Sequence, residues 1–84
     1  MFEADEIKRL IEAALPGAAV RVSDDAGDKE HFSAEVAAPA FVGKSLVQQH
    51  QMVYRALGSR VGNEIHALQL KTCTPEQWAR KEGQ

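Results

Sequence analysis

The sequence predicts an α/β (α+β) fold, a three-stranded mixed sheet with helices packed on one face. Three observations predict it. Apolar residues recur at helical spacing in two segments, Ile7 to Leu15 and Leu46 to Leu57. They alternate with polar residues around Val20 and Val22 and again from Phe32 to Val36, the two-residue period of half-buried strands. The polar stretch between those strands is too short for a helical crossover, so they pair antiparallel.

The elements follow in order. Ile7, Leu10, Ile11, Ala14 and Leu15 give the first helix an apolar stripe, with Glu6, Lys8, Arg9 and Glu12 opposite, and Pro16-Gly17 stops it. Val20 and Val22 mark a short first strand. Ser23 to Glu30, with Asp24, Asp25, Gly27 and Asp28, reads as a loop. In the second strand Phe32, Ala34 and Val36 share one face, and His31, Ser33 and Glu35 the other. Pro39 ends it, and Phe41-Val42-Gly43 turns into a longer helix whose stripe is Leu46, His50, Val53, Tyr54 and Leu57, with Val47 beside it.

Gly58 and Gly62 bracket a broken continuation through Val61. Glu64 to Thr72 is the third strand, with His66, Leu68 and Leu70 on one face and Ile65 and Ala67 on the other. Following a long helix, it can lie parallel to its neighbour through a right-handed crossover. Thr74-Pro75-Glu76-Gln77 is a helix start, with a capping hydroxyl, proline at the first helical position and a glutamine able to reach back. The last helix carries Trp78 and folds onto the body. The order is helix, strand, strand, helix (with its short continuation), strand, helix, in one domain spanning residues 1–84.

Composition bounds the function. Eighty-four residues that are 44% hydrophobic build one thin core, burying about 60–65% of the unfolded chain's surface. Twelve acids against ten bases leave a net charge of −2, which argues against non-specific nucleic-acid binding. A local basic patch remains open, from Lys44, Arg55, Arg60 and Lys71. Cys73 is the only cysteine, so no internal disulfide forms and no metal-binding cysteine pair exists. The acidic opening MFEADEIKRL is unlike a secretory signal, and no apolar run approaches the roughly 20 residues of a membrane span. The expectation is a reduced, cytoplasmic protein, a monomer or weak dimer when alone.

Few residues carry chemistry. His66, among apolar neighbours, reads alone as a structural histidine hydrogen-bonded to backbone. His31 faces away from the core, as an exposed histidine. His50 reads as a core-edge histidine and Cys73 as a small hydrophobic filler. Gly43-Lys44-Ser45 is like the end of a phosphate loop, but Ala38 stands where the first glycine is needed. Ser45 and His50 lie one and a half helical turns apart and point in different directions. No nucleophile–base pair emerges, and the reading is that of a non-enzyme.

Four segments together resemble the BolA family: His31-Phe32, Phe41 to His50 (FVGKSLVQQH), Met52 to Leu57 (MVYRAL), and Glu64 to Thr72 (EIHALQLKT) followed by Thr74 to Trp78 (TPEQW). The resemblance covers nearly the whole chain after the first helix and implies a fold similar to the class II KH domain. It implies a role in iron–sulfur cluster trafficking or iron homeostasis, through a [2Fe–2S] cluster shared with a monothiol glutaredoxin and its glutathione. His66 matches the histidine that is the family's principal ligand.

The resemblance also implies a second ligand, histidine or cysteine, from the loop between the first two strands. His31 is the residue of the right type there. It stands at the loop's last position, whereas other members carry theirs earlier, so an exposed histidine without a metal role stays open beside the ligand. Asp25 and Asp28 are harder ligands, less suited to such a cluster. One or two histidines cannot enclose a four-ligand site, so the rest must come from the partner. The KH-like fold also leaves a transcriptional regulator contacting DNA as the alternative, although the turn at Phe41 to Lys44 has one glycine and lacks the Gly-x-x-Gly clamp.

Overall fold

The computed structural model of the chain describes residues 3–25, 27, 31–62, 65 and 67–83. Helix α1 spans Ala4–Ala14, strands β1 and β2 span Ala19–Asp24 and His31–Ala37, helix α2 spans Leu46–Leu57, strand β3 spans Ala67–Cys73 and helix α3 spans Pro75–Glu82. Single 3₁₀ turns at Pro39–Phe41 and Gly58–Arg60 flank α2. The strand order is β1-β2-β3, with β1 antiparallel and β3 parallel to the central β2, the mixed sheet the sequence predicts.

Local chemistry accounts for the elements. Asp5 and Glu6 enrich the first turn of α1, where the helix dipole favours acids, and the Glu6 side chain accepts from the Glu3 amide at 3.2 Å. The helix is followed by Gly17 at φ +79, a left-handed backbone conformation that strains any residue with a Cβ. Ser45 caps α2 by accepting from the Gln48 amide at 3.2 Å, and Gln48 reciprocates to the Ser45 amide at 2.9 Å. That cap is what the Lys44-Ser45 pair does in this fold. The box at α3 forms as expected, with Thr74 Oγ1 accepting from the Gln77 amide at 3.3 Å and Gln77 Oε1 from the Thr74 amide at 2.8 Å.

The core lies between the sheet and the pair α1 and α2. It unites Ile7, Ile11 and Leu15 with Val20, Phe32, Val36, Phe41, Val53, Leu57 and Ile65. Full burial of each such side chain is worth roughly 1.5–3 kcal/mol against exposure.

Four details depart from the sequence reading. Strand β1 runs on through Ser23 and Asp24, which pair with Ser33 and Phe32, because polar side chains there bond across the hairpin. The buried stripe of α2 is Gln49, Val53 and Leu57, while Leu46 and Val47 are exposed and His50 is half-buried. Gln49 Nε2 donates to the Lys44 carbonyl at 3.0 Å and to the Phe41 carbonyl at 3.5 Å, so a polar residue turns inward and fixes the helix's angle.

The third departure is at β3, whose described pairing with β2 begins at Ala67. Ile65 belongs to a tight loop, its amide donating to the Arg60 carbonyl at 2.8 Å. It is fully buried in the same core against which Leu68 and Leu70 pack, so strand alternation does not extend back to it. The face assigned to His66 lies outside the described residues. Last, one-sided packing holds for α1 and α2, and α3 crosses the other face of the sheet. Its Trp78 ring lies 5.0 Å from the Arg21 guanidinium, Glu82 pairs with Arg21, and Lys81 pairs with Glu35.

Candidate metal-binding edge of the sheet

One end of the sheet brings together the loop end of the β1–β2 hairpin and the start of β3. The register aligns Asp24, Phe32 and Leu68 in one row, then His31 with Ala67 in the next. His31 is exposed, and strand alternation puts it on the outer face with Ser33 and Glu35, opposite Phe32. The Asp25 amide donates to the His31 carbonyl at 2.9 Å, extending the ladder one step past β1. The Asp25 carboxylate accepts from the Ser33 hydroxyl at 2.5 Å and from the Ser23 hydroxyl at 3.1 Å.

His66 and Asp28 lie outside the described residues. The neighbours of position 66 are described: Ile65 is fully buried, and Ala67 is the cross-strand partner of His31.

The other candidates sit elsewhere. Cys73 pairs with Ala37 at the far end of β3, six residues from Ala67 and thus about 20 Å along the strand. Burial pushes its thiol up, Lys81 opposing and Glu35 adding to the shift, away from the low-pKa thiols that react readily. His50 lines a groove of about 400 Å³ on the free edge of β3 with Leu46, Leu70, Cys73 and Trp78. Nothing in the sequence signalled that groove. Among the described residues no three His, Cys, Asp or Glu side chains gather closely enough to hold a metal ion.

The four cations of the nucleic-acid alternative are not brought together. Lys44 and Arg55 border one depression with Gln48 and Met52. Arg60 donates to the Leu57 carbonyl at 3.3 Å and borders another with Glu6 and Arg9. Lys71 is the register partner of Glu35 on the outer face.

The structure defines a small α+β protein with a mixed three-stranded sheet and three helices, in which a histidine stands at the mouth of the hairpin. The family model described as BolA-like protein matches residues 8–77, and the chain belongs to that family. It is 38% identical over 80 residues to the acid stress protein IbaG of Escherichia coli K12, covering 94% of this chain and 92% of the relative. It is 27% identical to the DNA-binding transcriptional regulator BolA of the same organism, covering 93% and 81% of the two chains. A solved BolA homologue from Coxiella burnetii superposes with a TM-score of 0.81 at 40% identity, covering 95% of this chain and all of the other. No helix among the described residues is long and apolar enough to cross a membrane.

Proposed function

We propose that this chain is a non-enzymatic, single-domain adaptor of the cytoplasm that shares a [2Fe–2S] cluster with a monothiol glutaredoxin and its glutathione, in cluster trafficking or iron homeostasis. One observation supports the reading beyond family membership: His31, exposed on the outer face, pairs with Ala67, the residue that follows His66 in the sequence. His66 would supply the principal ligand and His31 the second.

The donor set suits a shared cluster. Imidazole is a borderline ligand that accepts iron, and one or two histidines cannot enclose a four-ligand site. The single thiol sits at the wrong end of β3. The remaining ligands therefore come from the partner's cysteine and glutathione thiolates. When bound, the cluster supplies a redox centre whose potential is raised by histidine in place of cysteine. The chain's own part is to offer imidazole ligands from a rigid scaffold, so that the partner completes the site.

Anaerobic reconstitution of the two apo-proteins together tests this, read by visible circular dichroism against the glutaredoxin homodimer. A mixed spectrum is expected for wild type and its loss for His66→Ala, with a smaller change for His31→Ala. A His66→Ala spectrum identical to wild type removes the principal ligand and the reading with it. The regulator name of the Escherichia coli BolA relative points to DNA contact instead, and the dispersal of the four cations gives that alternative no support.

A further inference from the structure

Resting on the shared-cluster reading, we infer that Asp25 is a positioning residue that sets the hairpin mouth and, through it, His31. The ladder between β1 and β2 ends at Asp24 and Phe32, and Asp25 stands one step further, directly across from His31. Its amide holds the His31 carbonyl at 2.9 Å. Its carboxylate spans both strands, one oxygen taking the Ser23 hydroxyl and the other the Ser33 hydroxyl. Ser23 and Ser33 are themselves cross-strand partners, so the three side chains form a bridge over the outer face, two rows from His31 and on the same face.

The arrangement is more than a turn needs. An ordinary hairpin end is held by its backbone bonds and a turn-forming residue. Here a charged group is placed on the face where His31 emerges and is anchored on both strands, which fixes the backbone from which the imidazole projects. Outer partners that orient a metal-binding histidine work in this way, by fixing the ring's direction rather than by touching the metal. Asp25 itself is committed to two hydroxyl donors, so it acts through His31 and not as a ligand.

Visible circular dichroism of the reconstituted heterocomplex tests the role, with Asp25→Ala, Asp25→Asn, the Ser23→Ala/Ser33→Ala double variant and His31→Ala measured beside wild type. Far-ultraviolet spectra establish that each variant is folded. The spectrum of Asp25→Ala is expected to shift toward that of His31→Ala. The double variant, which keeps the carboxylate but removes its anchors, is expected to shift in the same direction. Asn offers an oxygen to one serine and an amide to the other, so Asp25→Asn should restore the wild-type spectrum. A wild-type spectrum for Asp25→Ala, or an Asp25→Asn spectrum as altered as that of Asp25→Ala, overturns the positioning role alone. Absence of any mixed spectrum in wild type overturns the shared-cluster reading, and this role falls with it.

Discussion

Gln49 has 6% of its surface exposed, yet its neighbours on the stripe are Val53 and Leu57. Its amide donates to the carbonyl of Lys44 and, at 3.5 Å, to that of Phe41, which also accepts from the Lys44 amide. Buried carbonyls without donors are costly, on the order of 1–3 kcal/mol each. Gln49→Ala loses both the donor and the buried stem, and is expected to destabilise the protein by about 1–3 kcal/mol in urea unfolding. Leu46→Ser removes an apolar residue that is 63% exposed, and should fall within about 0.5 kcal/mol of wild type. The opposite ranking would mean that α2 packs through Leu46, as apolar spacing suggests, and that the inward turn of Gln49 is wrong.

At the scale of elements, α3 is held on the outer face by exposed ion pairs around the single tryptophan. The Glu35 carboxyl is held below its usual range, first by its hydrogen bond to Lys81, and by the charges of Lys81, Arg21 and Lys71 against the opposing effect of burial. A carboxyl lowered by folding adds stability above its unfolded value and loses it as pH falls through the folded one. Glu35 therefore supports the docking of α3 at neutral pH and loses that contribution as pH falls below the ordinary carboxylate range. Glu35→Gln is expected to cost at most about 1 kcal/mol at pH 7, a difference that closes in acid. Trp78 fluorescence should shift to the red under the same acid conditions, and in the variant already at neutral pH. A Trp78 emission indifferent to both changes would mean that packing, not charge, docks α3.

The same scale explains what the sequence could and could not reveal. The order of elements, the antiparallel hairpin, the parallel third strand and the α3 cap were legible because each follows from short-range signals: period, loop length and a Thr-Pro-x-Gln start. The register was legible wherever one strand face is uniformly apolar, as at Phe32, Ala34 and Val36. The inward turn of Gln49, the entry of Ile65 into the core from a loop, and the crossing of α3 onto the outer face were not. Each depends on a partner distant in sequence or on a backbone carbonyl that no residue pattern records. For the candidate site, the outward face of His31 followed from strand alternation. The Asp25 bridge was hidden because Ser23 and Ser33 become cross-strand partners only once β1 is known to extend past Val22.

At the scale of the whole molecule, the distribution of charge decides whether nucleic acid is a partner. The chain carries a net charge of −2, and its four candidate cations divide among three surfaces. Lys44 and Arg55 share one depression, Arg60 is engaged at the end of α2 beside Glu6 and Arg9, and Lys71 shares the outer face with Glu35. Backbone-driven binding needs several phosphates neutralised together, and affinity then falls steeply and linearly with the logarithm of salt. Two cations on one patch can release about two counterions, well short of the six to ten of proteins that hold duplex DNA firmly. The isolated protein is therefore expected not to retard duplex DNA at about 50 mM salt and protein concentrations near 10 μM, the middle of the usual non-specific range. Retardation that weakens with salt and is abolished in Lys44→Ala/Arg55→Ala would establish that depression as a contact surface. Retardation that survives the double substitution would instead point to Arg9 and Arg60, which border another depression.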